Sequence, residues 1–203
     1  MPLLFCVFIM IYFSPTPVFS QQKVSIQKTT ASKPYQQKDT VCWVVNFEQF
    51  RDALYQKNKA KTKVFFDFPI DAEHGELWYV ALNGFSDSAD IAATSRNFTS
   101  KDLDKYYTNI FPAELVKGFL KVKMKELYTS GYSESPEWKK DDTIYQLRAT
   151  YDPKTRLIEL NLSIHSAVKV SSNEWDPVES NLIYQFAIGT NGHIKFRRIF
   201  IAG

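Results

Sequence analysis

Four residues of this 203-residue chain have the types and sequence context to do acid–base chemistry. His165 ends an alternating segment in which it shares the polar face with Glu159. If that face lined a cleft, the hydroxyl of Tyr145 or Tyr184 could reach the imidazole, an arrangement typical of general acid–base catalysis. If the face lies in water, His165 is a surface histidine. Asp67 is the second candidate base, and together these four residues are the predicted ligand-pocket candidates.

Other groups of reactive residues give weaker patterns. Asp71, Glu73, His74 and Glu76 crowd one turn, and carboxylates with an imidazole can bind a divalent cation. Adjacent residues of an extended chain point in opposite directions, so few of these could converge on one ion. The chain has no Gly-x-Ser-x-Gly motif, and Cys42 has no base near it in sequence. We therefore predict no catalytic residue, no metal site and no cofactor.

Composition narrows the class of partner. The 25 basic and 22 acidic residues leave a net charge of only +3, which gives no reason to predict binding to nucleic acid. Sixteen Phe, eleven Tyr and four Trp favour a sheet-rich fold with large buried side chains.

The first twenty residues resemble an export signal. Leu3 to Phe13 is an uninterrupted apolar run, followed by Pro15, Pro17 and the small residue Ser20. The run is too short to span a bilayer, so we predict cleavage near Ser20 and no transmembrane anchor after processing. A buried N-terminal helix is the alternative. The expected location is periplasmic or secreted, and the one cysteine left after cleavage cannot form an internal disulfide.

The rest of the chain divides at residue 40. Residues 21–40 have almost no large apolar side chain, so we interpret them as a flexible polar leader. Residues 41–203 are predicted to form one α+β domain, in which a curved antiparallel sheet, the C-terminal meander, packs on two to three N-terminal and central helices.

Three helices are predicted before the meander. Asn46 can cap a helix whose apolar stripe includes Phe47, Phe50 and Leu54. Thr99 and Asp102 have the spacing of a capping box for a second helix. A third begins near Pro112 and carries Leu115, Phe119 and Val122.

Alternating apolar residues predict the strands. Val64 to Ile70 indicates an edge strand, because Pro69 cannot donate a ladder hydrogen bond, and a turn at 71–75 leads to the apolar run 77–82. Three further strands centre on Leu147, Leu160 and Phe186. Asn191-Gly192 is a strong hairpin signal before the last strand, 193–201, in which a change of phase at Arg197-Arg198 predicts a bulge.

The order of these elements resembles a known fold family. The short strand ends in Phe68-Pro69-Ile70, the capped helix covers Asn97 to Tyr107, and the meander closes with Asn191 to Ile199. This arrangement is similar to that of small exported bacterial proteins of the NTF2-like (cystatin-like α+β) superfamily. The resemblance implies a cone-shaped half-barrel whose concave face can hold a small hydrophobic ligand.

We expect an exported, non-enzymatic module that binds a ligand or a partner. Its partner would be a small hydrophobic ligand or an envelope protein. One alternative is an NTF2-like isomerase or dehydratase that uses His165 or Asp67 as base. Another is an envelope interaction subunit without a small-molecule site, which could form a homo-oligomer through an exposed sheet face or edge such as the 65–70 strand.

Overall fold

Helices occupy the first half of the described chain, and strands occupy the second. The computed structural model describes residues 37–71, 76–84, 95–169 and 175–203. The predicted signal peptide, leader residues 21–36 and the candidate ligands Glu73 and His74 lie outside these ranges. The described residues belong to one compact unit, Tyr35–Gly203. No helix within these ranges is long and apolar enough to cross a membrane.

Six helices precede six strands in the described ranges. The helices are α1 (Gln37–Tyr55), α2 (Lys59–Lys63), α3 (Glu76–Leu82), α4 (Ser100–Ile110), α5 (Ala113–Phe119) and α6 (Met124–Ser130). The strands are β1 (Tyr132–Glu134), β2 (Trp138–Lys140), β3 (Thr143–Asp152), β4 (Leu157–Lys169), β5 (Trp175–Ile188) and β6 (Ile194–Ala202).

One antiparallel, curved and unclosed sheet contains all six strands. Its order is β1-β3-β4-β5-β6, and the short β2 pairs with β3 beside β1. The long strands β3 to β6 follow one another along the chain, so each pairs with its sequence neighbour. The predicted α+β class with a C-terminal meander is confirmed.

The core lies between one face of the sheet and the helices. Leu160 and Phe186 on the sheet are fully buried. The ring of Phe186 contacts Phe50 of α1 at 4.9 Å and Phe47 at 5.7 Å between centroids. Such edge-on aromatic contacts add to the free energy of burial. The alternating apolar residues of the meander therefore face the helices, and the polar residues face outward.

The predicted hairpin and bulge are both present. Gly192 turns the chain between β5 and β6 with a φ of 78°, a conformation that glycine adopts without strain. Along β6, Phe196 pairs with Phe186 while Arg198 pairs with Gln185. Arg197 is thus the extra residue, and it lets apolar positions on both sides of the bulge face the core.

Helix α1 begins nine residues before the predicted cap. Asn46 lies inside it, and the Asn46 Oδ1 contacts the Nδ1 of His193 at 2.9 Å. The prediction was wrong because the buried stripe extends upstream to Trp43, four residues before Phe47. The helix also includes residues 37–40, which the sequence assigns to the leader.

The predicted edge strand 64–70 is not formed. The amides of Phe65 and Phe66 donate back to Thr62 and Lys63, which makes a turn after α2. Val64 is 67% exposed, whereas Phe65 and Phe66 are both buried, so the predicted alternation is absent. A pattern of alternating apolar residues specifies a strand only where another strand pairs with it. Here one main-chain bond reaches the sheet, from the Phe196 amide to the Phe65 carbonyl.

Five further short elements were not predicted as such. The apolar run 77–82 forms α3, which is buried through Trp78, Val80 and Ala81. A run that is apolar on both faces fits a buried helix as well as a buried strand, and its length does not decide between them. Elements α2, β1 and β2, of five, three and three residues, are too short to give a periodic signal, and α6 was not distinguished from the end of the helix predicted to begin near Pro112.

Candidate functional site

The structure places His165 on the outer face of the sheet, away from the helices. His165 pairs with Ile144 on β3 and with Glu179 on β5. Its side chain is 43% exposed, and its Nδ1 lies 4.0 Å from a carboxylate oxygen of Glu179. The imidazole is therefore a half-exposed group on a polar surface.

Tyr184 lies on the opposite face, inside the core. It is fully buried, and its hydroxyl donates a 2.6 Å hydrogen bond to the main-chain carbonyl of Ile110. Burial raises the pKa of Tyr184 well above its ordinary value. The hydrogen bond of this hydroxyl connects the end of α4 to the sheet, and the hydroxyl does not approach His165.

The other two candidates do not lie beside His165 either. Tyr145 stacks on Trp138 with 5.7 Å between ring centroids, on the helix-facing side of β3. Asp67 lies beyond the β6 edge of the sheet, 73% exposed, and accepts a 2.6 Å hydrogen bond from Lys195. Neighbouring residues of a strand point to opposite faces. The four predicted residues therefore do not share a pocket.

A cleft opens where the described helices stop covering the sheet. It has a volume of about 370 Å³ and lies between α3, the end of α4 and the adjoining parts of β4, β5 and β6. This size is in the range of small-molecule sites. Its lining residues come from both layers of the fold: Tyr79, Val80, Asn83, Gly84, Asn109, Pro112, Ile164, Ser180, Asn181, Leu182 and Ile201.

Two chain terminations create this opening. Helix α3 ends at Asn83 and Gly84, whose φ values of 58° and 95° turn the chain out of the helix. Helix α4 ends at Ile110, two residues before Pro112. The helix-facing residues of the sheet beyond that point are only partly covered, and Ile201 is 41% exposed.

The described polar side chains at the cleft are uncharged, and one of them is held in place by a hydrogen bond. The Asn109 Nδ2 donates a 2.7 Å hydrogen bond to the carbonyl of Ala81, which orients the amide between α4 and α3. The Asn181 side chain points away from the cleft, because it pairs with Ser163 on the outer face and its Oδ1 accepts a 2.8 Å bond from the Ser163 hydroxyl there. The cleft thus combines apolar walls with amide and hydroxyl groups.

A second cleft has a volume of about 350 Å³. It runs between α1 and the turn after α2, and it is lined by Gln49, Asp52, Ala53, Gln56, Lys61, Val64 and Phe65. Its lining includes charges of both signs, Asp52 and Lys61, beside the apolar side chains of Ala53, Val64 and Phe65. A cleft with charged groups in its lining is less suited to bind an apolar ligand than the first cleft is.

The strongest ionic cluster is structural. Arg96 forms two hydrogen bonds, of 2.8 and 2.7 Å, with the carboxylate of Asp102. Its guanidinium lies 4.5 Å from the ring centre of Trp78. Asp102 also accepts from the Thr99 amide and hydroxyl, and its own amide donates to the Thr99 hydroxyl, which completes the predicted capping box. These contacts fix the start of α4.

Sequence reasoning missed the cleft residues. A signal existed for Ile201, because the change of phase at Arg197 places it on the helix-facing side of β6. No local pattern marks Asn109 or Ser180, since their role depends on where α3 ends in space. Among the described residues, no group of three or more His, Cys, Asp or Glu could hold a metal ion.

Comparisons with protein-family models, with curated proteins and with solved structures found no match to this chain.

Proposed function

We propose that this chain is an exported, non-enzymatic module that binds a small, largely apolar ligand in the cleft between the sheet and helices α3 and α4. The observation that carries the proposal is the cleft itself, with Ile164, Leu182 and Ile201 on the sheet side and Tyr79 on the helix side. Its position on the helix-facing side agrees with the pocket that the NTF2-like resemblance implies, and membership of that superfamily is part of the proposal.

The alternatives have less support from the geometry. An isomerase or dehydratase would need a base in the cleft, and neither His165 nor Asp67 lines it. An interaction subunit would use the outer sheet face. There the Gln185 Nε2 donates to Glu159 at 2.8 Å and the Arg198 Nε donates to Gln185 at 3.2 Å, so these polar groups already bond to one another.

A thermal-shift screen with matched variants tests the proposal. Lipophilic small molecules are expected to raise the melting temperature of the native protein by binding the folded state. Ile201→Glu, which places a charge in the cleft, should abolish that shift. Ile144→Glu is the control, because Ile144 is equally exposed, 40% against 41%, but lies on the outer face.

Equal loss of the shift in both variants, or no stabiliser among the compounds, would count against a ligand site here. Light scattering of the same samples separates the third possibility. Self-association abolished by Ile144→Glu and unaffected by Ile201→Glu would favour an interaction role for the outer face.

A further inference from the structure

The lining of the cleft restricts the chemistry of its ligand. Among the residues that the structure describes, none of the eleven that line the cleft is Asp, Glu, Lys, Arg or His. A charged group that entered would lose hydration without meeting a counter-charge, which is costly. The polar side chains that do line it, among them Asn83, Asn109 and Ser180, can exchange hydrogen bonds with a neutral group.

The C-terminal end of helix α3 disfavours negative charge in particular. The last carbonyls of a helix carry a partial negative charge. At this end, the carbonyls of Tyr79, Val80 and Ala81 accept from Gly84, from Asn83 and from the Asn109 side chain. A carboxylate placed here would meet carbonyl oxygens and no cation from the described part of the lining, whereas a hydroxyl group could donate to an oxygen and accept from an amide.

The fixed amide of Asn109 makes this preference specific. Because its Nδ2 donates to the Ala81 carbonyl at 2.7 Å, its Oδ1 is the atom of that amide that can accept from a ligand. The side chains of Tyr79 and Ile201, 44% and 41% exposed, offer apolar surface that a hydrocarbon body would cover. One end of such a ligand is therefore apolar, and the other presents a hydrogen-bond donor.

We infer that the cleft selects an uncharged ligand with an apolar body and a hydroxyl head group, and that it discriminates against the corresponding carboxylate. This inference rests on the proposed function, because it assigns a ligand class to the same cleft.

Three probes with the same hydrocarbon chain test the inference: 1-octanol, octanoate and octylammonium. Each is titrated into isotopically labelled full-length protein at neutral pH, and backbone amide resonances are followed by NMR. Octanol is expected to shift the amides of Asn83, Asn109 and Ser180. The dissociation constant for octanoate is expected to be at least about tenfold higher.

A charge placed in the cleft should reverse this preference. Ile201→Lys is expected to bind octanoate more tightly than octanol, because the ammonium supplies the missing counter-charge. Ile144→Lys, on the outer face, should leave the preference of the native protein unchanged. Both variants change a partly exposed isoleucine, so both are expected to fold.

The outcomes distinguish a wrong ligand class from a wrong ligand site. Octanoate or octylammonium binding as tightly as octanol would overturn the inference and leave the cleft as a ligand site. Failure of all three probes would also overturn it. If, in addition, the thermal-shift screen finds no compound that depends on Ile201, the proposed function fails as well.

Discussion

The hydroxyl of Tyr184 donates a 2.6 Å hydrogen bond to the main-chain carbonyl of Ile110, and it thereby joins the middle of the sheet to the end of α4. The bond lies one residue from Asn109 and two from Pro112, both of which line the cleft. The position of the α4 terminus, and hence the cleft opening, depends on this buried contact.

Replacing Tyr184 by Phe should therefore destabilise the fold. The substitution keeps the ring and leaves the Ile110 carbonyl without its donor, which is expected to lower the free energy of unfolding by about 1–2 kcal/mol. Urea unfolding followed by circular dichroism measures the change. Tyr55→Phe is the control, because Tyr55 is 63% exposed, and its effect should lie within about 0.5 kcal/mol of zero.

The same residue predicts a loss of stability in alkali. Burial raises the pKa of Tyr184 in the folded state, whereas in the unfolded chain it titrates near its ordinary value of about 10. Its contribution to stability is thus fully present below pH about 10 and is lost as the pH rises toward the folded pKa. The free energy of unfolding should fall more steeply with rising pH for the native protein than for Tyr184→Phe. Parallel curves would contradict a buried, protonated Tyr184.

Asp102 predicts the opposite dependence on pH. Asp102→Asn removes the carboxylate that bonds Arg96 and Thr99, and we expect a loss of about 2 kcal/mol at neutral pH. The figure is modest because Arg96 is half exposed and water weakens its share of the interaction. Asp142→Asn is the control, since the Asp142 side chain is 92% exposed.

Lowering the pH should reduce the difference in the free energy of unfolding between the native protein and Asp102→Asn. The hydrogen bonds from Arg96 and Thr99 hold the pKa of Asp102 well below its ordinary value. Its stabilisation is therefore present above the unfolded pKa of about 3.9 and is lost as the pH falls toward the folded value. A difference in unfolding free energy that stays constant from neutral pH to about pH 2 would argue against this assignment.

Gly118 marks the closest approach of α5 to the sheet. A Cβ atom there would lie 2.6 Å from the Leu147 Cβ and 2.9 Å from Cη2 of Trp138. Gly118→Ala should lower the free energy of unfolding by about 1–3 kcal/mol through overpacking, although alanine favours a helix by about 1 kcal/mol. Lys125→Ala, on the exposed surface of α6, should be nearly neutral under the same urea titration. Greater stability in Gly118→Ala would mean that the two layers can separate at little cost.

Local signals predicted much of the architecture. The capping box at Thr99 and Asp102, the hairpin at Gly192 and the bulge at Arg197 each depend on a few adjacent residues, and all three are present. The segment 64–70 has an equally regular pattern but forms a turn. Its Phe65 ring packs against Phe50 at 5.1 Å, a contact with a distant residue that the local alternation does not encode.

The candidate site shows the same division. Alternation correctly placed His165 on the face opposite Leu160, but it could not say which face the helices would cover. Once the apolar face is buried, Tyr184 lies in the core and His165 lies outside it. The sequence therefore allowed a contact between the two side chains. The structure excludes it, because the helices cover the face that carries Tyr184 and leave His165 on the other face.

The sequence by itself determined the capped start of α4, the meander with its hairpin and bulge, and which residues of those strands share a face, because periodicity and capping act over a few residues. The tertiary structure decided where the cover of helices ends over the sheet. That boundary depends on the turn at Asn83 and Gly84 and on the contact between Tyr184 and Ile110, which are far apart along the chain. The cleft is the gap that these contacts leave.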